Sequence, residues 1–407
     1  MKKVPTGIAV RAPESKREMR QAHEMLAAVS NGEENPGAYW RSGYSAGYPG
    51  SPPEHTRIAM WGGELAGVLR ITSETLRLGE ARLKAGGLGA GPAVARRRDK
   101  GVARLLLEDA MAYLHSHQYH AALLFGDWDV HYPLGFAPAL PEYCAVTGVL
   151  LPQGAAPEHT ARPAKPGDLK AIQRIHNAND ANAACSVLRS TAHFTNKWTQ
   201  SPGFHVLTDA QGKIAAYFIE GPATPRALEI LETGVTGTAS CNSLLRACSE
   251  RAALHNRGSL RFHMPPTHPF ARYLHCVPSV HETHIAGDGG GMMALVDAAE
   301  ALENLIPEWE NALAQSSLAE KSLELTLLAG NTPFRVRARR GAIDIAAQAG
   351  QNRVRLGRRA LVQLIAGYLP PDHLLGEGQN LLAPEALQLF RTLFPARAPY
   401  VWQFDRA

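Results

Sequence analysis

Apolar positions along the chain change their period several times, and each change marks an element. Residues 7–12 (Gly-Ile-Ala-Val-Arg-Ala) predict a short strand, and Pro13-Glu14-Ser15 opens an amphipathic helix to about Val29. Residues 30–53 lose the pattern and are rich in Gly, Pro, Asn and Ser, which predicts a long loop carrying Trp40, Tyr44 and Tyr48. Strand patterning returns at Arg57–Trp61 and, across Gly62-Gly63, at Leu65–Ile71; Gly-Gly between two apolar runs is a hairpin signal. A further turn is predicted before Leu76-Arg77-Leu78. The run Gly87–Val94 follows, broken by glycines and Pro92 in a way that predicts a bulge or splay. Val102 to His115 reads as a helix, with Val102, Leu105, Leu106, Ala110 and Leu114 on one face. A buried strand Ala121–Phe125 comes next, then Gly126-Asp127 and His131–Phe136.

Past a Pro/Ala-rich linker at Pro152–Pro157 the same order of elements recurs. It runs through a strand at His159–Arg162, a helix at Pro166–Asn177, paired strands Phe204–Thr208 and Ile214–Glu220, and a strand at Ala227–Val235. A helix at Cys241–His255 and strands at Ser259–His263 and Met292–Val296 complete it. A third unit begins near Trp309, with strands Leu323–Leu328, Phe334–Ala338 and Ala342–Ala346 and helices Arg358–Ala366 and Pro384–Leu393. The expected fold class is therefore α/β (α+β) in three domains, 1–150, 158–300 and 305–407.

Composition narrows the class of protein. With 45% hydrophobic and 19% charged residues and a formal net charge of +5 over 407 residues, the chain reads as globular. No long basic run interleaved with aromatics supports a nucleic-acid partner. Five scattered cysteines without a Cys-x-x-Cys pair predict reduced thiols and no metal site. With neither a signal-peptide run nor an apolar stretch of membrane-spanning length, the expectation is cytoplasmic.

The candidate chemistry lies at Arg98-Asp99-Lys100-Gly101-Val102-Ala103, between a glycine-broken strand and a helix. A helix N-terminus is partly positive and presents backbone N–H groups, which suits a pyrophosphate. Gly101 lets the backbone approach, Ala103 keeps the next contact small, and Arg98, Lys100 and Arg104 add charge around the rim. Asp99 would oppose an anion unless its side chain points outward. Gly91, Ala93 and Val94, in the broken strand, would expose backbone N–H and C=O groups toward the same ligand.

This R-x-x-G-x-A sequence, set after a splayed strand and before a helix, a buried strand and the Gly135-Phe136 pair, resembles the acetyl-CoA-binding core of GNAT acetyltransferases over residues 7–148. Together with a second unit lacking the motif, Gly290–Asp297 and Phe394-Pro395…Trp402-Gln403-Phe404-Asp405, the plan resembles the Eis (enhanced intracellular survival) type. The resemblance implies a sterol carrier protein-like third domain and transfer of acetyl from acetyl-CoA to a primary amine, such as an aminoglycoside or a lysine side chain. It also implies a homo-oligomer, hexameric in many members. It further implies a tyrosine acid near Gly135-Phe136 and a terminal carboxylate as base. Here His131 stands where that tyrosine falls, with Tyr132 beside it, so the acid is Tyr132 or His131; the carboxylate belongs to Ala407, where the family more often ends in Phe. Glu80 is a further candidate base. The alternative is a non-catalytic GNAT shell whose third domain holds an apolar ligand.

Overall fold

The computed structural model describes residues 7–30, 52–90, 100–127, 134–149, 158–190, 203–286, 289–375 and 382–406. Its strands in the first third of the chain are β1 (Ile8–Arg11), β2 (Thr56–Trp61), β3 (Glu64–Leu78), β4 (Ala81–Ala90), β5 (Ala121–Asp127), β6 (Ala137–Leu140) and β7 (Glu142–Gly148). Next come β8 (Thr160–Pro163), β9 (Ala184–Val187), β10 (Phe204–Thr208), β11 (Ile214–Ala223), β12 (Leu228–Val235), β13 (Ser259–His263), β14 (Ser279–His284) and β15 (Gly289–Leu295). The last third adds β16 (Ser322–Ala329), β17 (Thr332–Arg339), β18 (Ala342–Ala346) and β19 (Arg353–Leu356). The helices are α1 (Lys16–Ser30), α2 (Lys100–Ser116), α3 (Leu169–Asn179), α4 (Thr238–Leu254), α5 (Pro269–Leu274), α6 (Ala298–Glu303), α7 (Ile306–Ala314), α8 (Arg358–Ala366), α9 (Pro371–Leu374) and α10 (Pro384–Leu393).

The first sheet has the order β1-β2-β3-β4-β5-β15-β6, with β9 added along β3. Gly62 (φ +61°) and Gly63 (φ +83°) close the β2–β3 hairpin, two residues that tolerate the left-handed region a tight turn requires. The turn expected between Ile71 and Leu76 is absent: β3 runs unbroken, and Thr72 to Thr75 pair with Gly87 to Lys84. The alternation carries through that stretch, with Thr72 buried and Ser73 and Thr75 exposed, and threonine favours the extended chain. The two faces of β3 take different helices. Val68 packs with Ala22 and Leu26 of α1, while Leu69 and Ile71 pack with Val102, Leu106 and Ala110 of α2.

The sheets do not follow the chain. After β6, β7 leaves the first sheet and pairs with β13 and β14, giving a second sheet β14-β7-β13-β12-β11-β10-β8. In return β15 comes back from the second unit and lies between β5 and β6. Gly291 makes this return possible, because a Cβ there would lie 2.4 Å from the Leu140 carbonyl oxygen and 2.9 Å from the Phe125 ring. Within the second sheet, β12 and β13 are parallel and joined through α4, which repeats the relation of β4, α2 and β5.

The third unit is a four-stranded sheet, β18-β17-β16-β19. Trp309, Phe390 and Phe394 are almost fully buried there, and they share one apolar cluster with Leu76, Leu83, Leu123 and Met293 of the first sheet. Burying aromatics of that size contributes roughly 1.5–3 kcal/mol each, so this contact ties the third unit firmly to the first.

Candidate functional site

The parallel pair β4/β5 is in register from Ala85↔Ala121 to Leu88↔Leu124 and no further. Beyond that point β4 continues along β3 to Ala90↔Leu69, and β5 continues along β15 to Asp127↔Gly289. The strands therefore diverge, and the facing backbone groups of Gly89, Ala90, Phe125 and Gly126 leave the ladder they would otherwise share. The helix joining two parallel strands runs back against them, so α2 begins beyond their C-terminal ends. Its first turn contains no acidic residue, so the positive end of the helix is not compensated by its own side chains.

Three contacts set the angle of α2. Arg57 donates to both carboxylate oxygens of Asp109 at 2.5 and 2.9 Å, and its guanidinium lies 5.7 Å from the Tyr113 ring. Leu114 packs onto Gly86, where an added Cβ would come within 2.4 Å of it. Of the residues read as ligand-binding, Lys100, Gly101, Val102, Ala103 and Arg104 form the first turn of α2. The Val102 side chain is 2% exposed and belongs to the core, which leaves only its backbone for a ligand. Arg104 donates to Glu108 at 2.7 Å. Gly91, Ala93, Val94, Arg98 and Asp99, like Tyr132, His131 and Ala407, lie outside the described residues, as do Trp40, Tyr44 and Tyr48. Glu80 is exposed in the β3–β4 turn, about 30 Å from the C-terminal end of β4 at the usual strand rise, and is not part of this opening.

Two groups of residues at the opening escaped the sequence pattern. On the α1 face Arg70, paired with Gly89, is 2% exposed. His23 and His55 are held below the usual histidine range by burial first and by the Arg70 charge second. On the other side of β5 the C-terminal segment returns: the Arg406 guanidinium lies 4.4 Å from the Phe125 ring and pairs with Glu142 at 2.6 Å. Neither group has a local signature, since each is assembled from segments remote in sequence.

In the second unit the corresponding gap is filled. β12 and β13 are in register only from Leu228↔Leu260 to Ile230↔Phe262. Beyond it Glu232 bonds Arg189, Thr233 approaches Met264 at 4.0 Å, and Gln403 reaches His263 at 3.1 Å. Of the two structurally related openings, the protein's own side chains occupy the second.

Among the described residues, Cys144, Glu282 and His284 bring three metal-capable atoms within 4.8 Å of one another. Arg261 already donates to Cys144 Sγ at 3.1 Å and to Glu282 at 3.0 Å, so a guanidinium holds the place a cation would take. Burial, and then the Glu282 hydrogen bond, push the Cys144 thiol up to about 11.

A diverging parallel strand pair capped by a helix N-terminus defines a class, and the comparisons agree with it. The model of an acetyltransferase (GNAT) domain family matches residues 10–137. Among solved structures, a GCN5-related N-acetyltransferase from Anabaena variabilis superposes with a TM-score of 0.72 at 14% identity, covering 98% of this chain and 100% of that one. A second such enzyme, from Kribbella flavida, gives 0.70 at 17% identity over 98% and 99% of the two chains. Eis1 from Mycobacterium abscessus gives 0.62 at 14% identity over 97% and 99%. No curated protein matches the chain in sequence. Residues 10–137 thus match a GNAT acetyltransferase domain, and these structures share the chain's mixed α/β fold over nearly its whole length. No helix among the described residues is long and apolar enough to cross a membrane.

Proposed function

We propose that this protein is an N-acetyltransferase of the Eis type that moves an acetyl group from acetyl-CoA to a primary amine at the β4/β5 opening. The observation that carries this reading is the loss of pairing after Leu88↔Leu124 beside the start of α2. The backbone of Lys100–Ala103 would take the pyrophosphate at the positive helix end, with Arg98 beside it and Gly91, Ala93 and Val94 along the pantetheine path. An extended thioester arm would continue the ladder that β4 and β5 abandon, and strand-end N–H groups would stabilise the oxyanion of the addition step.

Transfer requires the acceptor nitrogen as free base, a group to take its proton, and a donor for the departing thiolate. Tyr132 or His131 is our proposed donor and the Ala407 carboxylate our proposed proton acceptor. No acyl-cysteine is needed: Cys144 and Cys185 are buried, and burial holds their thiols up at about 11 and about 12. Acceptors of the aminoglycoside or lysine kind fit this chemistry.

The test is incubation of the purified protein with acetyl-CoA and a panel of primary amines, following released thiol. Release that depends on both partners is expected. A chain that binds no CoA and releases no thiol with any amine would overturn the proposal.

A further inference from the structure

The segment from Pro399 to Arg406 crosses all three units and is held at almost every residue. Pro399 bridges to Ala184, Tyr400 N–H donates to the Ala184 carbonyl at 2.9 Å, and Trp402 Nε1 donates to Asp180 at 2.7 Å. Phe404 packs edge-on against Phe204 with ring centres 5.3 Å apart. The last two contacts are ionic. Arg189 grips Asp405 at 2.7 and 2.8 Å, and one residue later Arg406 is fixed between Glu142 and the Phe125 ring at the mouth of the β4/β5 opening.

The Arg189 grip is an unusual way to fasten a tail. The side chains of Arg189, Asp405 and Glu232 have no exposed surface. Arg189 forks to both carboxylates, bonding Glu232 twice at 2.6 Å, while Tyr217 also donates to Glu232 at 2.7 Å. A buried ion pair gains little stability over apolar packing, because desolvation offsets most of the attraction. What a forked guanidinium supplies is direction: two parallel bonds fix Asp405 in position and angle, where the ring contact of Phe404 leaves room to slide.

We infer that Arg189 is a positioning residue, which acts through Asp405 to fix the register of the 399–406 strap and thereby holds Arg406 at the acceptor side of the opening. This rests on the reading of the opening as the acetyl-transfer site. The strap contacts β5 and β7 but no residue of α2 among its described bonds and ring contacts. Loosening it therefore acts at the β5 end of the opening, where transfer to the acceptor is proposed, and spares the pyrophosphate end at α2.

The informative variant is Asp405→Asn in the full-length chain, because it leaves the Arg189–Glu232 pair intact and removes only the Asp405 charge. Asp405→Glu keeps the charge as the conservative control. Hydrogen exchange, followed by mass spectrometry without any substrate, reads the strap directly. Faster exchange at 399–406 in Asp405→Asn, slower again in Asp405→Glu, is expected, with α2 and β4 unchanged. In the acetylation assay Asp405→Asn should lower kcat or raise the acceptor KM by about tenfold or more, with the acetyl-CoA KM within about twofold. Unchanged exchange in the strap would overturn the inference, and so would faster exchange with unaltered acceptor kinetics. If the wild type released no thiol, the reading of the opening would fall and the catalytic half of this inference with it. The exchange data would then decide the grip alone.

Discussion

Leu88 and Leu124 face each other at the last shared position of β4 and β5, and every later residue of the two strands pairs elsewhere. If the first turn of α2 receives a pyrophosphate there, Gly101→Leu should block the approach. Leucine is a better helix former than glycine, so the fold should survive. Titration calorimetry with CoA is expected to show affinity reduced at least tenfold, about 1.4 kcal/mol, with the melting temperature unchanged or raised.

Glu232 makes stability depend on acid. Burial alone would raise its proton affinity, but the Arg189 charge, with His176 and the Arg189 hydrogen bonds, brings it from an ordinary 4.5 down to about 2. The unfolded carboxyl therefore takes up its proton at higher pH than the folded one. Its contribution is complete above about pH 4.5 and is lost as the pH falls toward 2. Asp180, raised by burial, opposes this in part. Urea unfolding from neutral pH down to about pH 3 should show stability falling, and Glu232→Gln should flatten the slope.

The cysteines should differ sharply in reactivity. Burial raises Cys144 and Cys241 to about 11 and Cys185 to about 12, and pushes the Cys248 thiol well up; Cys276 is exposed. A thiol reagent at mildly alkaline pH is expected to label Cys276 alone in the native protein. Cys276→Ser should abolish that labelling, and labelling at any other cysteine before unfolding would contradict the burial.

Gly79 and Gly62 both adopt left-handed conformations, φ +59° and +61°, but only one is crowded. A Cβ at Gly79 would lie 1.9 Å from a Glu308 carboxylate oxygen, the same oxygen that accepts from Glu80 N–H at 2.8 Å; at Gly62 nothing lies within 4 Å. Gly62→Ala should cost about 1 kcal/mol of backbone strain. Gly79→Ala should cost about 1–3 kcal/mol more, because it also breaks the tie between the first and third units. Equal losses in urea unfolding would show that the turn yields without disturbing Glu308.

Local pattern carried much of the architecture. The hairpin at Gly62-Gly63, the helix at α2, and the third unit's β18, α8 and α10 all stand where hydrophobic period and turn residues put them. Pattern failed where polar residues continue a strand, as at Thr72–Thr75, and where short strands exist only because a partner supplies the ladder. Strand β9 is one, held by β3, and β19 is another, held by β16.

By itself the sequence determined many of the elements and the basic start of α2. Those features depend on backbone sterics, side-chain period and charge within a few residues. Only the tertiary structure decided that β7 and β15 trade sheets, that the second unit's gap is filled, and that Arg406 reaches Phe125. These relations join positions tens to hundreds of residues apart. They are settled by which surfaces bury one another and which buried charges find partners, and a linear pattern carries no record of that.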